Sequence, residues 1–88
     1  MNRTDLSVLY QRFLLLSEAY VENPDVLTGL ALDEVTGQFR QACASQLDDP
    51  ALPTLLHGLL RIIPRRDMGE FHRLLDKIRA SATEYDLT

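Results

Sequence analysis

The chain has 88 residues, of which 45% are apolar and 25% charged, and its formal net charge is −4 at pH 7. This balance is ordinary for one small globular domain spanning residues 1–88, and it argues against intrinsic disorder. A net negative charge repels nucleic acids and anionic membranes, so we expect neither to be the main partner.

The first predicted helix spans residues 5–22 and has one wide apolar face. Thr4 precedes it in the position of a capping residue. Eight apolar side chains share this face at helical spacing: Leu6, Leu9, Tyr10, Phe13, Leu14, Leu16, Tyr20 and Val21. Asn23-Pro24 ends the helix, because the residue before a proline resists the helical conformation. Residues 24–30 have room for one short extra turn.

A second apolar stripe lies on the opposite face of this first helix. Val8, Leu15 and Ala19 follow one another at positions i, i+7 and i+11. A helix in an isolated bundle needs only one apolar face, so this second stripe requires a cover. The cover is either the segment 24–32 folded back over it, a second copy of the chain, or a different protein. If residues 24–32 pack elsewhere, Val8 and Leu15 become the best candidates for an interface.

The second and third predicted helices span residues 33–47 and 52–63. Asp33 is placed to cap the second, whose apolar face consists of Leu32, Val35, Phe39, Ala42, Cys43 and Leu47. Asp48-Asp49-Pro50 ends it. The third helix has the most apolar surface of the chain: Leu52, Leu55, Leu56, Leu59, Leu60, Ile62 and Ile63.

The fourth predicted helix spans residues 67–84 and follows a very short link that begins with Pro64. Asp67 and Glu70 have the spacing of a capping box. The apolar face of this helix consists of Met68, Phe71, Leu74, Leu75, Ile78, Ala82 and Tyr85. Short links make neighbouring helices antiparallel, so the sequence predicts an all-α fold, a small antiparallel bundle of about four helices.

The sequence contains no recognisable set of catalytic, cofactor-binding or metal-binding residues. His57 and His72 are its only histidines, and Cys43 is its only cysteine. The usual zinc spacings and the Glu-x-x-His pairs of di-iron bundles are therefore absent. Cys43 lies on an apolar helix face, which favours a role in the core over a reactive thiol. We predict no enzymatic activity, no cofactor and no metal.

Four arginines surround the link between the third and fourth helices: Arg61, Arg65, Arg66 and Arg73. A helix-turn-helix protein would use such residues to contact phosphates. However, the helix that would enter the groove opens with Asp67 and Glu70, and the chain is acidic overall. The alternative is a patch that docks on an acidic protein surface, and we favour it over DNA binding.

These observations together predict a small cytoplasmic protein–protein interaction module of bacterial or phage character. It would serve as an adaptor, a chaperone subunit or a stoichiometric inhibitor, with Val8, Leu15 and Ala19 supplying buried area and the arginines setting orientation. The alternatives are a helix-turn-helix DNA-binding regulator and a structural homo-oligomer, such as a homodimer, formed through the first helix. The cytoplasm follows from the lone cysteine and from the absence of a signal-peptide pattern or an apolar membrane span.

Overall fold

The computed structural model describes residues 3–48, 50–85 and 87, and these residues form a bundle of four α-helices. The helices are α1 (Arg3–Glu22), α2 (Val26–Gln46), α3 (Ala51–Ile62) and α4 (Met68–Glu84), with a 3-10 turn at Ile63–Arg65 between the last two. Twenty residues of helix span about 30 Å, and the longest dimension of the molecule is 32 Å. The predicted small all-α bundle is therefore confirmed.

Each helix packs closely on the helix that follows it in the chain. The pair α1 and α2 is antiparallel: Tyr20, near the end of α1, lies against Gly29, near the start of α2. Farther along the pair, Tyr10 and Phe13 pack on Phe39, with ring centroids 5.7 and 5.8 Å from it. These distances are typical of favourable aromatic contacts. The three rings form the centre of the α1–α2 interface.

Side chains, rather than closely approaching backbones, connect α1 to α4. The ring of Tyr20 contacts the ring of Phe71, with centroids 5.5 Å apart. Outside the core, the Arg79 guanidinium lies 3.6 Å from the Glu18 carboxylate. Both of these side chains are largely exposed, so the ion pair contributes little to stability. Large aromatic side chains therefore close the bundle between its first and last helices.

The buried core contains apolar side chains from all four helices. It includes Leu6, Tyr10, Phe13, Tyr20, Leu32, Phe39, Ala42, Cys43, Leu52, Leu56, Leu59, Phe71, Leu75, Ile78 and Ala82. Each of these residues belongs to a stripe predicted from helical spacing. The apolar periodicity of the sequence thus identifies the faces that meet in the core.

The start of α2 differs from the prediction. The helix begins at Val26 and is capped by Asp25, whose Oδ1 accepts a hydrogen bond of 2.7 Å from the backbone N–H of Thr28. Asp33 lies inside the helix and not at its cap. Residues 26–30 of the predicted short turn are therefore the beginning of one continuous helix. Local propensity is weak here because of Val26, Thr28 and Gly29, and packing against α1 overrides it.

The ends of the other helices differ less from the predictions. The α1 helix begins at Arg3, so Thr4 lies inside the helix, and its side chain is outside the described part of the chain. Asp67 caps α4 as predicted, because its Oδ1 accepts a hydrogen bond of 3.1 Å from the Glu70 N–H. The Glu70 side chain does not complete a capping box. It accepts a hydrogen bond from Arg73 instead.

Candidate partner-binding surface

The second apolar stripe of α1 remains uncovered in the chain. Val8 is 48% exposed and Leu15 is 68% exposed, and Ala19 beside them is exposed as well. The segment 24–32, one of the predicted covers, contributes to α2 instead of folding across this stripe. We call Val8, Leu15 and Ala19 the outer face of α1.

The four predicted arginines lie on three different elements. Arg61 is in the last turn of α3, Arg65 ends the 3-10 turn, and Arg66 follows it in a left-handed conformation with φ of 57°. All three are exposed, and none forms an ion pair within the described part of the chain. Arg73 on α4 differs, because its Nε donates to Glu70 Oε2 at 3.1 Å. This bond and the glutamate charge raise the pKa of Arg73.

The predicted residues do not all converge on one site. The turn that carries the arginines is anchored to the end of α1, where the Tyr20 hydroxyl donates a hydrogen bond of 3.0 Å to the Ile63 carbonyl. Val8 is twelve residues earlier, which corresponds to about 18 Å along the helix axis. Leu15 and Ala19 are closer to that end. Val8 is therefore far from the turn that carries the arginines.

Sequence reasoning missed a second apolar surface at the start of α2. Val26, Leu27 and Leu30 are 61%, 79% and 63% exposed. At 100° per residue, the three side chains project within an arc of about 100° on the solvent side of α2. We call them the α2 patch. The signal available in the sequence is the spacing i, i+1, i+4 directly after Asp25, which a helix start at Asp33 leaves outside the helix.

A groove runs between the first half of α2 and the 3-10 turn, beside the α2 patch. Its volume is about 410 Å³. The apolar residues that line it are Tyr20, Val26, Gly29, Leu30, Ile63 and Pro64, and the charged ones are Asp25, Asp33 and Arg66. An apolar cleft with a few charged groups is the usual form of a binding site.

The shape of this groove depends on a close contact between α1 and α2. A Cβ atom at Gly29 would lie 3.2 Å from Cε1 of Tyr20, tighter than an ordinary contact. The absent side chain therefore lets the Tyr20 ring lie against α2. The Tyr20 hydroxyl then reaches the Ile63 carbonyl, which also accepts the N–H of Arg66 at 3.2 Å. One tyrosine thus fixes the wall opposite α2.

The charges in the groove have opposite signs on its two walls. The Thr28 N–H holds the pKa of Asp25 below its ordinary value, and the nearby positive charge of Arg66 lowers it further. Asp33, one turn beyond Leu30, forms no ion pair within the described residues. At neutral pH, carboxylates on α2 therefore face an arginine on the turn.

We predict that the cap at Asp25 makes folding slightly acid-sensitive. A carboxyl whose folded pKa lies below its unfolded value of 3.8 stabilises the fold above that pH, and the stability is lost as pH falls through the folded pKa. Replacing Asp25 with Asn keeps a capping acceptor that does not titrate. Thermal unfolding below pH 4 should show a Tm that falls more steeply in the wild type than in Asp25→Asn. Identical slopes would contradict the prediction.

Cys43 and a cavity between α2 and α3 are two further features of the described chain. Burial raises the pKa of the Cys43 thiol to about 12, so the thiol is protonated and inert at neutral pH. A second cavity of about 390 Å³ lies between α2 and α3, with Arg40, Asp48 and His57 among its lining residues. Among the residues the structure describes, no three His, Cys, Asp or Glu side chains are grouped so that they could hold a metal ion.

No helix in the described ranges is long and apolar enough to cross a membrane. Searches with protein-family models, against curated proteins and against solved structures found no match to this chain.

Proposed function

We propose that the protein is a protein–protein interaction module that acts by stoichiometric binding, as an adaptor, a chaperone subunit or an inhibitor. The observation that carries the proposal is the exposure of five large apolar side chains, Val8, Leu15, Val26, Leu27 and Leu30. They form two surfaces, the outer face of α1 and the α2 patch. Exposed apolar patches on a small domain usually mark sites of macromolecular contact.

The distribution of charge supports a protein partner over a nucleic acid. Arg61, Arg65 and Arg66 form a basic turn between α3 and α4. Acidic side chains flank this turn, with Asp33 across the groove and Asp67 at the start of α4. A phosphate backbone would be repelled by those carboxylates as well as by the net charge of −4. A protein surface with mixed charges would tolerate both signs.

The outer face of α1 is the surface that we assign to the partner. Val8 and Leu15 supply apolar area that no part of the described chain covers. Leu15 is more exposed than Val8, and burying such a side chain completely contributes about 1.5–3 kcal/mol to binding. Loss of this contribution corresponds to roughly a 10–150-fold change in affinity.

Affinity capture from the native cells tests this assignment. The tagged wild type should recover one protein in near-stoichiometric amount, and Leu15→Glu should recover at least tenfold less of it. Ala80→Glu is the matched control, because it places the same charge at an exposed alanine of α4. Circular dichroism should show that both variants remain folded. Equal recovery by Leu15→Glu and the wild type would exclude the outer face of α1 as the binding surface.

A further inference from the structure

We infer that the exposed face of α3 binds an acidic segment of the partner protein. We define this basic face of α3 by His57, Arg61 and Arg65, with Arg40 of α2 beside it. The inference rests on the proposed function and deepens it, because it states the chemistry of the partner. It concerns a different helix from the one that carries Leu15.

The basic face follows from the spacing of residues along α3 and the 3-10 turn. His57, Arg61 and Arg65 follow one another at intervals of four residues, and all three are exposed. Residues four apart in a helix are neighbours on one side of it. At 1.5 Å per residue, the row is roughly 12 Å long and its side chains are about 6 Å apart. The two guanidinium groups in this row are always charged.

Acidic residues are missing from this part of an otherwise acidic chain. The whole sequence has 13 acidic residues, yet α3 and the 3-10 turn contain none of them. Arg61 and Arg65 form no ion pair within the described ranges. Asp67 and Glu70 follow the turn, but the first caps α4 and the second accepts a hydrogen bond from Arg73. The charge of the basic face is therefore available to carboxylates from outside.

Arg40 extends the basic face across the cavity between α2 and α3. Arg40, Thr54 and His57 line this cavity together, and Asp48 lines it as well. Arg40 is half-buried, and its Nε is buried without a hydrogen-bond partner in the described part of the chain. It forms no ion pair with Asp48. Arginines withdrawn from water are usually paired. A carboxylate that enters the cavity supplies the missing partner.

The surrounding acidic residues limit the occupant to a short segment. Asp48 lies at the end of the basic face where α3 begins, and Asp67 lies at the other end. Arg66 is not part of the face, because it shares the groove of the α2 patch with Asp25 and acts on that carboxylate. A long phosphate backbone would meet these acids. About four residues of extended acidic peptide span the 12 Å between them, at roughly 3.3 Å per residue.

Titration of the isotope-labelled chain with a peptide of ten glutamates tests the binding. At low salt, the peptide should shift the amide resonances of residues 54–65 and of Arg40, and those of Val8 and Leu15 should stay in place. The shifts should shrink as sodium chloride is added, because salt screens exposed charges. No shifts at low salt, or equal shifts over the whole surface, would overturn the inference.

A charge reversal separates the basic face from the net charge of the chain. Arg61→Glu should weaken binding of the glutamate peptide by about tenfold, because an attraction becomes a repulsion. Arg12→Glu is the matched control, since it makes the same change of net charge at an exposed position of α1. It should bind as the wild type does, and circular dichroism should show both variants folded. Equal losses in the two variants would contradict a specific face.

An oligonucleotide with the same number of negative charges distinguishes the two classes of macromolecule. It should bind more weakly than the glutamate peptide at the same salt concentration. Tighter binding of the oligonucleotide would overturn the acidic protein segment as the occupant of the basic face.

The Leu15→Glu variant distinguishes this inference from the proposed function. It should bind the glutamate peptide as the wild type does, because the substitution lies on α1. If affinity capture recovers no partner although the peptide binds through Arg61, the proposed function fails and the basic face remains. If capture depends on Leu15 but Arg61→Glu changes neither capture nor peptide binding, the proposed function remains and this inference is wrong.

Discussion

Replacing Phe39 with alanine is expected to lower the free energy of unfolding by about 3–5 kcal/mol. Phe39 is fully buried and contacts both Tyr10 and Phe13 across the α1–α2 interface. Removal of its ring loses two aromatic contacts and leaves a cavity that surrounding helices fill only in part. A chain of this size has a total stability on the order of 4–9 kcal/mol. The variant should therefore lose about half of its stability or more.

Urea denaturation followed by circular dichroism measures this loss. Gln38→Ala is the matched control, because Gln38 is the exposed neighbour of Phe39 on the same helix and its change should stay within about 0.5 kcal/mol. If Phe39→Ala proves unfolded even without urea, Phe39→Leu keeps much of the volume and should still show a cooperative transition at a lower midpoint. A Phe39→Ala midpoint equal to that of Gln38→Ala would contradict the central role of the aromatic cluster.

The second large effect is expected at Phe71, whose replacement by alanine should also cost about 3–5 kcal/mol. Phe71 is buried and its ring packs on that of Tyr20, the contact that joins α4 to α1. Because Tyr20 also supports the wall of the groove through Ile63, the loss should extend beyond stability. The groove between α2 and the 3-10 turn should therefore change shape in this variant as well.

Nuclear magnetic resonance distinguishes this local effect from general destabilisation. The ring protons of Tyr20 should shift in Phe71→Ala, because a neighbouring aromatic ring has been removed, whereas those of Tyr10 should move little. His72→Ala is the control, since His72 is the exposed residue next to Phe71 on α4. Unchanged Tyr20 resonances in a folded Phe71→Ala variant would show that the two rings do not contact each other.

The helices were predictable where burial is confined to one face. The stripes that contain Phe39 in α2, Leu56 in α3 and Phe71 in α4 repeat every three or four residues, and these three residues are buried as expected. The cap at Asp67 was also predictable from the sequence, because its hydrogen bond joins residues only three positions apart. Local spacing is sufficient for features of this kind.

The start of α2 and the groove beside it were not predictable in the same way. Thr28 and Gly29 are weak helix formers, so the sequence around them predicts only a short turn. The packing of Tyr20 against Gly29, together with the Asp25 cap, stabilises the first turns of the helix. The groove further requires that Ile63 approach Tyr20 from a distant part of the sequence. The apolar spacing within one segment does not predict a contact between residues as far apart in the sequence as Tyr20 and Ile63.

The sequential packing of the helices has a consequence for how the chain folds. Because α1 pairs with α2, α2 with α3, and α3 with α4, most backbone contacts join segments that are neighbours in the sequence. The links between the helices are short, so little chain entropy is lost when each pair forms. Helical domains of such low contact order fold within microseconds to milliseconds. The Tyr20–Phe71 contact joins the first helix to the last, and we place it among the last to form. A chain that refolds so quickly exposes its apolar segments only briefly to aggregation after each unfolding event.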